Sequence, residues 1–479
     1  MSEHLAPAAN RRWLGLAVIA AAQFMVIMDT SIIGVALPKM QADLGFSPEN
    51  LSWVFNAYVV ALAGLLLLGG KLSDVLGARR VFSFGWVILA AGSLLAGLAG
   101  TPAVELAGRA IQGAGSALIA PSALTLLFML FGSTPKDLTK ALAFYGAAAP
   151  AGGTAGVFLG GVITEYISWP WVFYINVPVA LAVLALTRSV LPAGGPLTKS
   201  RVDLLGAATV TAGLAAAVYA VVKAPEVGWG TGSTWLLLGI AAVLLSAFVG
   251  IQAKGRDPLV RLGIFRAPNL AGANLAQVLL GAAWIPMWFF LNLYLQQVLG
   301  FSAFPSGAAL LPMTGLIMLS MIVLAPRVIG AFGPKRTAVL GLLLLAVGML
   351  WLSLIDPAGS FAVDVLPASL VAALGMSLAF IPTLGTAISS ARPEEGGLAS
   401  GIVNTSYQIG SALGLAVMTA VAAANGADQL GTAEALTEGY SAAFIGAAAI
   451  ALLGAAAASA LLRSPAPTTA EVAPENQHV

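Results

Sequence analysis

The sequence predicts an all-α polytopic membrane protein with fourteen transmembrane helices. Scarce charge, hydrophobic runs of spanning length and one-sided placement of the basic residues together predict it. Of 479 residues, 59% are hydrophobic and 9% are charged, against about 25% charged in an ordinary soluble domain. The hydrophobic runs recur at about 20 residues, long enough for a helix to cross a hydrocarbon core of roughly 30 Å. The period-two alternation that a membrane β-barrel needs does not occur.

The first helix, at about 13–37, follows Arg11 and Arg12. It is too long for a signal peptide, carries Asp29 and lacks a convincing small-residue cleavage site, so it reads as a retained span. Helices at about 51–70 and 80–100 flank the stretch GGKLSDVLGARR, and a fourth at about 103–129 contains Arg109. A glycine-rich fifth, about 140–164, precedes a sixth at about 170–190 that ends near Arg188. The seventh and eighth, about 204–223 and 234–253, run between the basic clusters around Arg201 and Lys254. The ninth, about 269–298, follows Arg261 and Arg266. The tenth and eleventh, about 304–327 and 336–355, flank APRVIGAFGPKR. The twelfth and thirteenth, about 363–390 and 397–424, flank Arg392, and the fourteenth, about 440–462, ends at Arg463.

With the N-terminus inside, nineteen basic residues fall on the inner side and only Lys39 and Lys223 on the outer. Arg109 is the one left within a span. This bias sets both termini in the cytoplasm and supports the count, since a missed helix would scramble the alternation after it. The proline- and acid-containing tail 463–479 reads as disordered. The chain has no cysteine, and its only histidines, His4 and His478, lie in the tails. No metal or cofactor is therefore expected, and proton chemistry within the membrane falls to carboxylates.

The loops after helices 2 and 10 align: Gly77 matches Gly333, Arg79 and Arg80 match Lys335 and Arg336, and Asp74 falls opposite Gly330. Such a repeat predicts a duplicated transporter with a site at the bilayer midplane. After a cytoplasmic N-terminus, 1–12, the expected units are a six-helix bundle at 13–190, a linker at 191–268 with two extra helices, and a second six-helix bundle at 269–462.

The stretches MDTSIIGVALP, GKLSDVLGARR, GRAIQGAGSALIAP, WPWVFYINVPVA and LYLQQVLGFS occur in this order across the chain. Through them the sequence resembles the fourteen-helix drug/proton antiporters of the major facilitator superfamily, the EmrB/QacA type of multidrug exporter. The resemblance implies a cytoplasmic latch at Gly70, Asp74, Gly77, Arg79 and Arg80, against a bland reading of the same residues as a solvated, topology-setting loop. It also makes helix 9 a cavity-lining helix, so that Trp284, Trp288, Asn292 and Tyr294 are candidate substrate contacts. Tyr58, Gln112, Asn404, Tyr407 and Gln408 are similar candidates, the polar ones open to a second reading as helix-to-helix hydrogen-bonding groups. Gly152, Gly156, Gly160 and Gly161 provide the small-residue spacing that lets another helix approach. Two departures stand out. Val157 occupies the family's proline position in helix 5, and Pro170 replaces the arginine of the Trp-Arg-Trp that opens helix 6.

Asp29 is an acid in one of the most apolar stretches of the chain. Helix 1 runs outward and helix 4 inward, which places Asp29 about 12 Å below its outer end and Arg109 at a comparable depth. Each charge left alone at mid-helix would cost about 2.5–3.5 kcal/mol, so the two are expected to pair. The pair is either purely structural or a switch. Glu105, Arg109, Gln112 and Ser116 form a stripe at helical spacing, giving Arg109 a second acid four residues away. With Arg109 beside it Asp29 stays ionised; with Arg109 turned to Glu105, Asp29 takes up a proton.

No phosphate-binding loop, ligand cluster or activated nucleophile is present in the sequence, so an enzyme is not expected. The expected function is a proton-coupled antiporter, monomeric in the lipid bilayer of the cytoplasmic membrane, that exports small lipophilic molecules and binds no nucleic acid. A lipid or metabolite exporter and an importer or facilitator of the same fold remain alternatives. A membrane sensor ranks last, for want of a signalling domain.

Overall fold

The computed structural model describes residues 9–132, 134–193, 202–391, 396–429 and 432–463. Most of the expected N-terminal segment, nearly all of the tail 463–479 and the side chain of Asp74 lie outside the described residues. All regular structure among the described residues is helical. The first half of the chain comprises α1 (Ala9–Leu44), α2 (Trp53–Leu76), α3 (Ala78–Gly97), α4 (Pro102–Phe131), α5 (Pro135–Tyr166), the short α6 (Trp171–Tyr174) and α7 (Asn176–Val190). Then come the paired α8 (Leu204–Val227) and α9 (Gly232–Lys254). The second half holds α10 (Leu270–Leu293), α11 (Ala303–Ala309), α12 (Leu311–Leu319), α13 (Ala325–Leu352), α14 (Leu366–Ser390), α15 (Gly396–Ala422) and α16 (Ala433–Leu461).

Local sequence explains the starts and turns. Thr101 accepts a hydrogen bond from Val104 N, and Pro102 follows it in the first turn of α4, where a missing N–H does no harm. Asp203 caps α8 through Gly206 N at 2.7 Å. Gly77 alone separates α2 from α3, at φ 91° and ψ 129°, a conformation that strains any residue with a Cβ. The loop expected after helix 2 is therefore mostly helix: α2 continues to Leu76, and Arg79 and Arg80 already lie in the first turn of α3.

Its repeat partner Gly333 has φ 79° and ψ 162° inside a continuous helical run. Among the described residues, thirteen helices are long and apolar enough to cross a membrane, one of them the 50-residue run Ala303–Leu352. The tenth and eleventh predicted spans are thus joined through one glycine rather than by a loop. The offset that relates Gly77 to Gly333 also relates Gly85 to Gly341 and Gly92 to Gly348. A Cβ on any of these last four would collide with the backbone of the following helix, α4 in the first half and α14 in the second. The internal repeat is a repeat of close helix crossings.

The same rule clamps α1 to α5. Cβ atoms on Gly152, Gly156 and Gly160 would meet the carbonyl oxygens of Phe24, Met28 and Ile32. A matched four-residue period on both helices brings their backbones into contact on either side of Asp29. The α8/α9 pair packs outside the two halves, with α8 touching both α2 and α15. Arg12 donates to Leu130 O, Arg79 to Leu191 O, and Asn269 pairs with the backbone of Arg463. Arg12, Arg79 and Arg463 all stand at helix ends, and the end of the molecule that holds Arg12 and Arg79 is called here the basic end.

Candidate functional site

Asp29 and Arg109 meet in the interior, both fully buried. Arg109 Nη1 donates to Asp29 Oδ2 at 2.6 Å. The acid is fixed further by Gln112 Nε2 at 3.0 Å and Asn176 Nδ2 at 2.8 Å, both donating to Oδ1. Arg109 Nε donates to Val54 O at 2.9 Å and Nη1 to Gln112 Oε1 at 2.7 Å. Its guanidinium carbon lies 4.5 Å from the centre of the Tyr58 ring and 5.8 Å from that of Phe173. A planar cation held by carboxylate, carbonyl, amide and aromatic faces is well compensated for its loss of water. Gln112 and Asn176 also donate to Ser93 Oγ, at 2.8 and 3.2 Å, and Ser93 donates to Leu89 O.

Two groups in this cluster are left over. Glu105, one turn before Arg109 on α4, is buried with both carboxylate oxygens unpartnered among the described residues, and Arg109 Nη2 is likewise free. A buried acid without a hydrogen bond, one turn along α4 from a guanidinium nitrogen without one, leaves the network incomplete.

At the end opposite the basic one, α1 is tied to the second half. Gln296 Nε2 donates to Val35 O at 3.1 Å and Gln297 Nε2 to Gln41 Oε1 at 2.9 Å, while Tyr440 donates to Gln297 Oε1. Gln296 and Gln297 occupy a π-helical turn, Tyr294–Val298, that continues α10. Ala303 N donates to Glu165 Oε2 at 3.0 Å, and the Phe304 ring packs against Phe158 and Tyr166. A Cβ on Gly161 would meet the backbone of Ala303 and Phe304, and one on Gly307 that of Val157. Val157, the departure from the family pattern, is thus a point of close contact between the halves. The side-chain hydrogen bonds joining the halves among the described residues all lie at this end, so the structure is closed there.

The expected cavity residues separate into different environments. Tyr58 and Gln112 belong to the buried network, with the Tyr58 hydroxyl donating to Ser116 Oγ at 2.8 Å. Trp288 lies against α1 so closely that a Cβ on Gly34 would overlap its ring, and Asn292 approaches the same glycine. Trp284 is buried beside them on α10. Tyr294 is fully buried, as Asn292 is, and its hydroxyl donates to Asp356 O at 2.7 Å within its own half. Asn404 is exposed and bonds back to Ser400 O, Tyr407 packs edge-on to Phe380, and Gln408 is half-buried. Of the latch residues, Arg79 is engaged within the first half, Arg80 is exposed, and Gly70 has only Pro121 within reach of a Cβ.

Sequence reasoning missed Ser93, Asn176, Gln296 and Gln297. The last three lie inside the stretches WPWVFYINVPVA and LYLQQVLGFS, so their signal was the motif itself. Uncharged polar residues also serve as caps and packing groups, and nothing in their own chemistry singles these out.

Two helical halves, a buried ion pair between helices of one of them, and closure across one end define a membrane transporter rather than an enzyme. The chain belongs to the Major Facilitator Superfamily, which it matches over residues 19–415. It is 39% identical to the cephamycin export protein CmcT of Amycolatopsis lactamdurans over 96% of this chain and 95% of that protein. It is 36% identical to the puromycin resistance protein pur8 of Streptomyces alboniger, covering 95% of this chain and 92% of that one. An auto-inhibited peptide transporter of the POT family shares the fold, with TM-score 0.70 and 17% identity over 96% of this chain and 98% of the other.

Proposed function

We propose that this chain exports antibiotics or similar amphipathic small molecules by proton antiport, as a fourteen-crossing member of the drug/proton antiporter branch. The 50-residue run Ala303–Leu352 supports the count: at 1.5 Å per residue it is about 75 Å long, enough for two crossings of a roughly 30 Å core, and it breaks at Gly333. The crossings form a six-helix bundle at 13–190, an inserted pair within 191–268 and a second bundle at 269–462. The basic end faces the cytoplasm, by the positive-inside rule, with both termini on that side of the inner membrane. The protein works as a monomer. Relatives named for cephamycin export and for puromycin resistance support the cargo class.

One observation carries the coupling: the buried Arg109–Asp29 pair with the unpartnered Glu105 a turn away. Arg109 moves between the two acids. Engaged with Arg109, Asp29 is ionised; released, it takes a proton, so that cargo and proton use the pair in turn. The structure, closed opposite the basic end, has Asp29 in the engaged state. The latch of Gly70, Asp74, Gly77, Arg79 and Arg80 belongs to the other conformer, open outward and sealed at the basic end. Trp284, Trp288 and Asn292 on α10 and Asn404, Tyr407 and Gln408 on α15 line the path of the cargo.

The test is Asp29→Asn in proteoliposomes with puromycin as probe. Asparagine mimics the protonated acid, so pH-gradient-driven efflux falls to the protein-free background while puromycin binding persists. Undiminished gradient-driven efflux would reject Asp29 as the coupling group.

A further inference from the structure

We infer that Asn176 is the proton-state partner of Asp29, donating to the carboxylate and, after a half-turn of its amide, accepting from the carboxylic acid. This rests on the reading of Asp29 as the proton carrier. Every group that touches Asp29 in the structure is a donor: Arg109 Nη1 on one oxygen, Gln112 Nε2 and Asn176 Nδ2 on the other. Such a shell fits the ionised form. A protonated acid brings a new O–H, and buried in this interior that O–H needs an acceptor.

The neighbours differ in whether they can supply one. Arg109 has only donors. The Gln112 carbonyl already accepts from Arg109 at 2.7 Å, and its amide serves Ser93 as well as Asp29. Ser93 Oγ donates to Leu89 O and accepts from both Gln112 and Asn176, which fills its capacity. Asn176 Oδ1 is buried and has no partner among the described residues. Rotation about the last side-chain bond exchanges Nδ2 for this free oxygen at almost the same place, with no backbone movement. The observed orientation follows from charge, because a carboxylate requires the Nδ2 side of the amide toward it.

The other titratable or charged groups facing Asp29 are few. Among the described residues, α4 presents Arg109 and Glu105 and α2 presents Tyr58. Ser93 of α3 and Asn176 of α7 are uncharged; α5 meets α1 through Gly152, Gly156 and Gly160, and α10 through Trp288. Asn176 is thus the one group touching Asp29 with a free acceptor to offer, and turning it gives up only its 3.2 Å bond to Ser93, whereas turning Gln112 would also release Arg109.

The test is pH-difference infrared spectroscopy on the full chain in lipid, with Asn176→Leu and Asn176→Asp as near-isosteric variants. Wild type shows a carboxylic C=O band on acidification, coupled to a shift of an asparagine amide band. The carboxylic band disappears in Asp29→Asn. In Asn176→Leu it moves to higher frequency, because the acid has lost its acceptor, and the amide shift vanishes. In Asn176→Asp an ionised neighbour favours the protonated acid, and the midpoint of the Asp29 band moves to higher pH by about one unit or more. If the band is present in wild type, absent in Asp29→Asn and unmoved by both Asn176 variants, Asn176 is structural and this inference fails while Asp29 stands. If the band survives Asp29→Asn, the proton carrier itself has been misassigned.

Discussion

Arg109 is the residue on which the first half is organised, because a buried guanidinium always needs an anion. Removing one partner of a buried pair typically costs about 3–5 kcal/mol. In the proposed cycle Glu105 is the standby. If Arg109 reaches it when Asp29 is absent, Asp29→Asn loses less stability than an unpaired cation implies, and Glu105→Gln becomes harmful only in that background. The expected result is a non-additive thermal-stability cycle in detergent, with the double variant worse than the sum of the singles by about 1 kcal/mol or more. Additive losses would mean that Arg109 does not swing to Glu105. This pair was legible in the sequence because a charge inside an apolar run is an anomaly that demands a partner. Asn176 was not: it is 147 positions from Asp29, and only the fold brings its amide to the carboxylate.

Among the elements, α1 joins the buried Asp29–Arg109 pair to the closure. Asp29 sits in its middle, and Gly34, Val35 and Gln41 farther along it meet α10 and its π turn. The helices α1 and α5 touch backbone to backbone, and α5 brings Glu165 into the same closure. Opening that end must part Gln41 from Gln297. The chain has no cysteine, so Gln41→Cys with Gln297→Cys gives a clean pair for a short reducible cross-linker. Cross-linking is expected to lower puromycin efflux about tenfold or more, with recovery on reduction, as for any gate that must open in each cycle. Full activity in the cross-linked state would remove these contacts from the gate. That the chain is built of long apolar helices was readable from hydropathy and charge. What hydropathy could not show was the turn at Gly77 or the break at Gly333, since each depends on the backbone angle of a single glycine rather than on a polar segment.

For the whole molecule, the proposed coupling through one deeply placed acid, Asp29, limits what can be driven. One proton entering under about 100 mV and one pH unit supplies roughly 2.3 plus 1.4 kcal/mol, or about 3.7 kcal/mol. Exchanged against a neutral molecule, that sustains a several-hundred-fold gradient. A monovalent cation leaving for one proton moves no net charge and is left with the pH contribution, about tenfold. A dication must move against the membrane potential, and the two contributions then oppose each other, leaving roughly 0.9 kcal/mol unfavourable. In the structure Glu105 is the other buried acid of the cluster, and the proposed cycle uses it to hold Arg109 rather than to carry a second proton. Cells expressing the chain are therefore expected to gain resistance to neutral and singly charged lipophilic compounds but little to a bis-cation built from two copies of the same monovalent head. In proteoliposomes with a defined potential and pH gradient, concentrative transport of the bis-cation as strong as that of its monovalent analogue would require a second transported proton, and with it a second carrier beside Asp29.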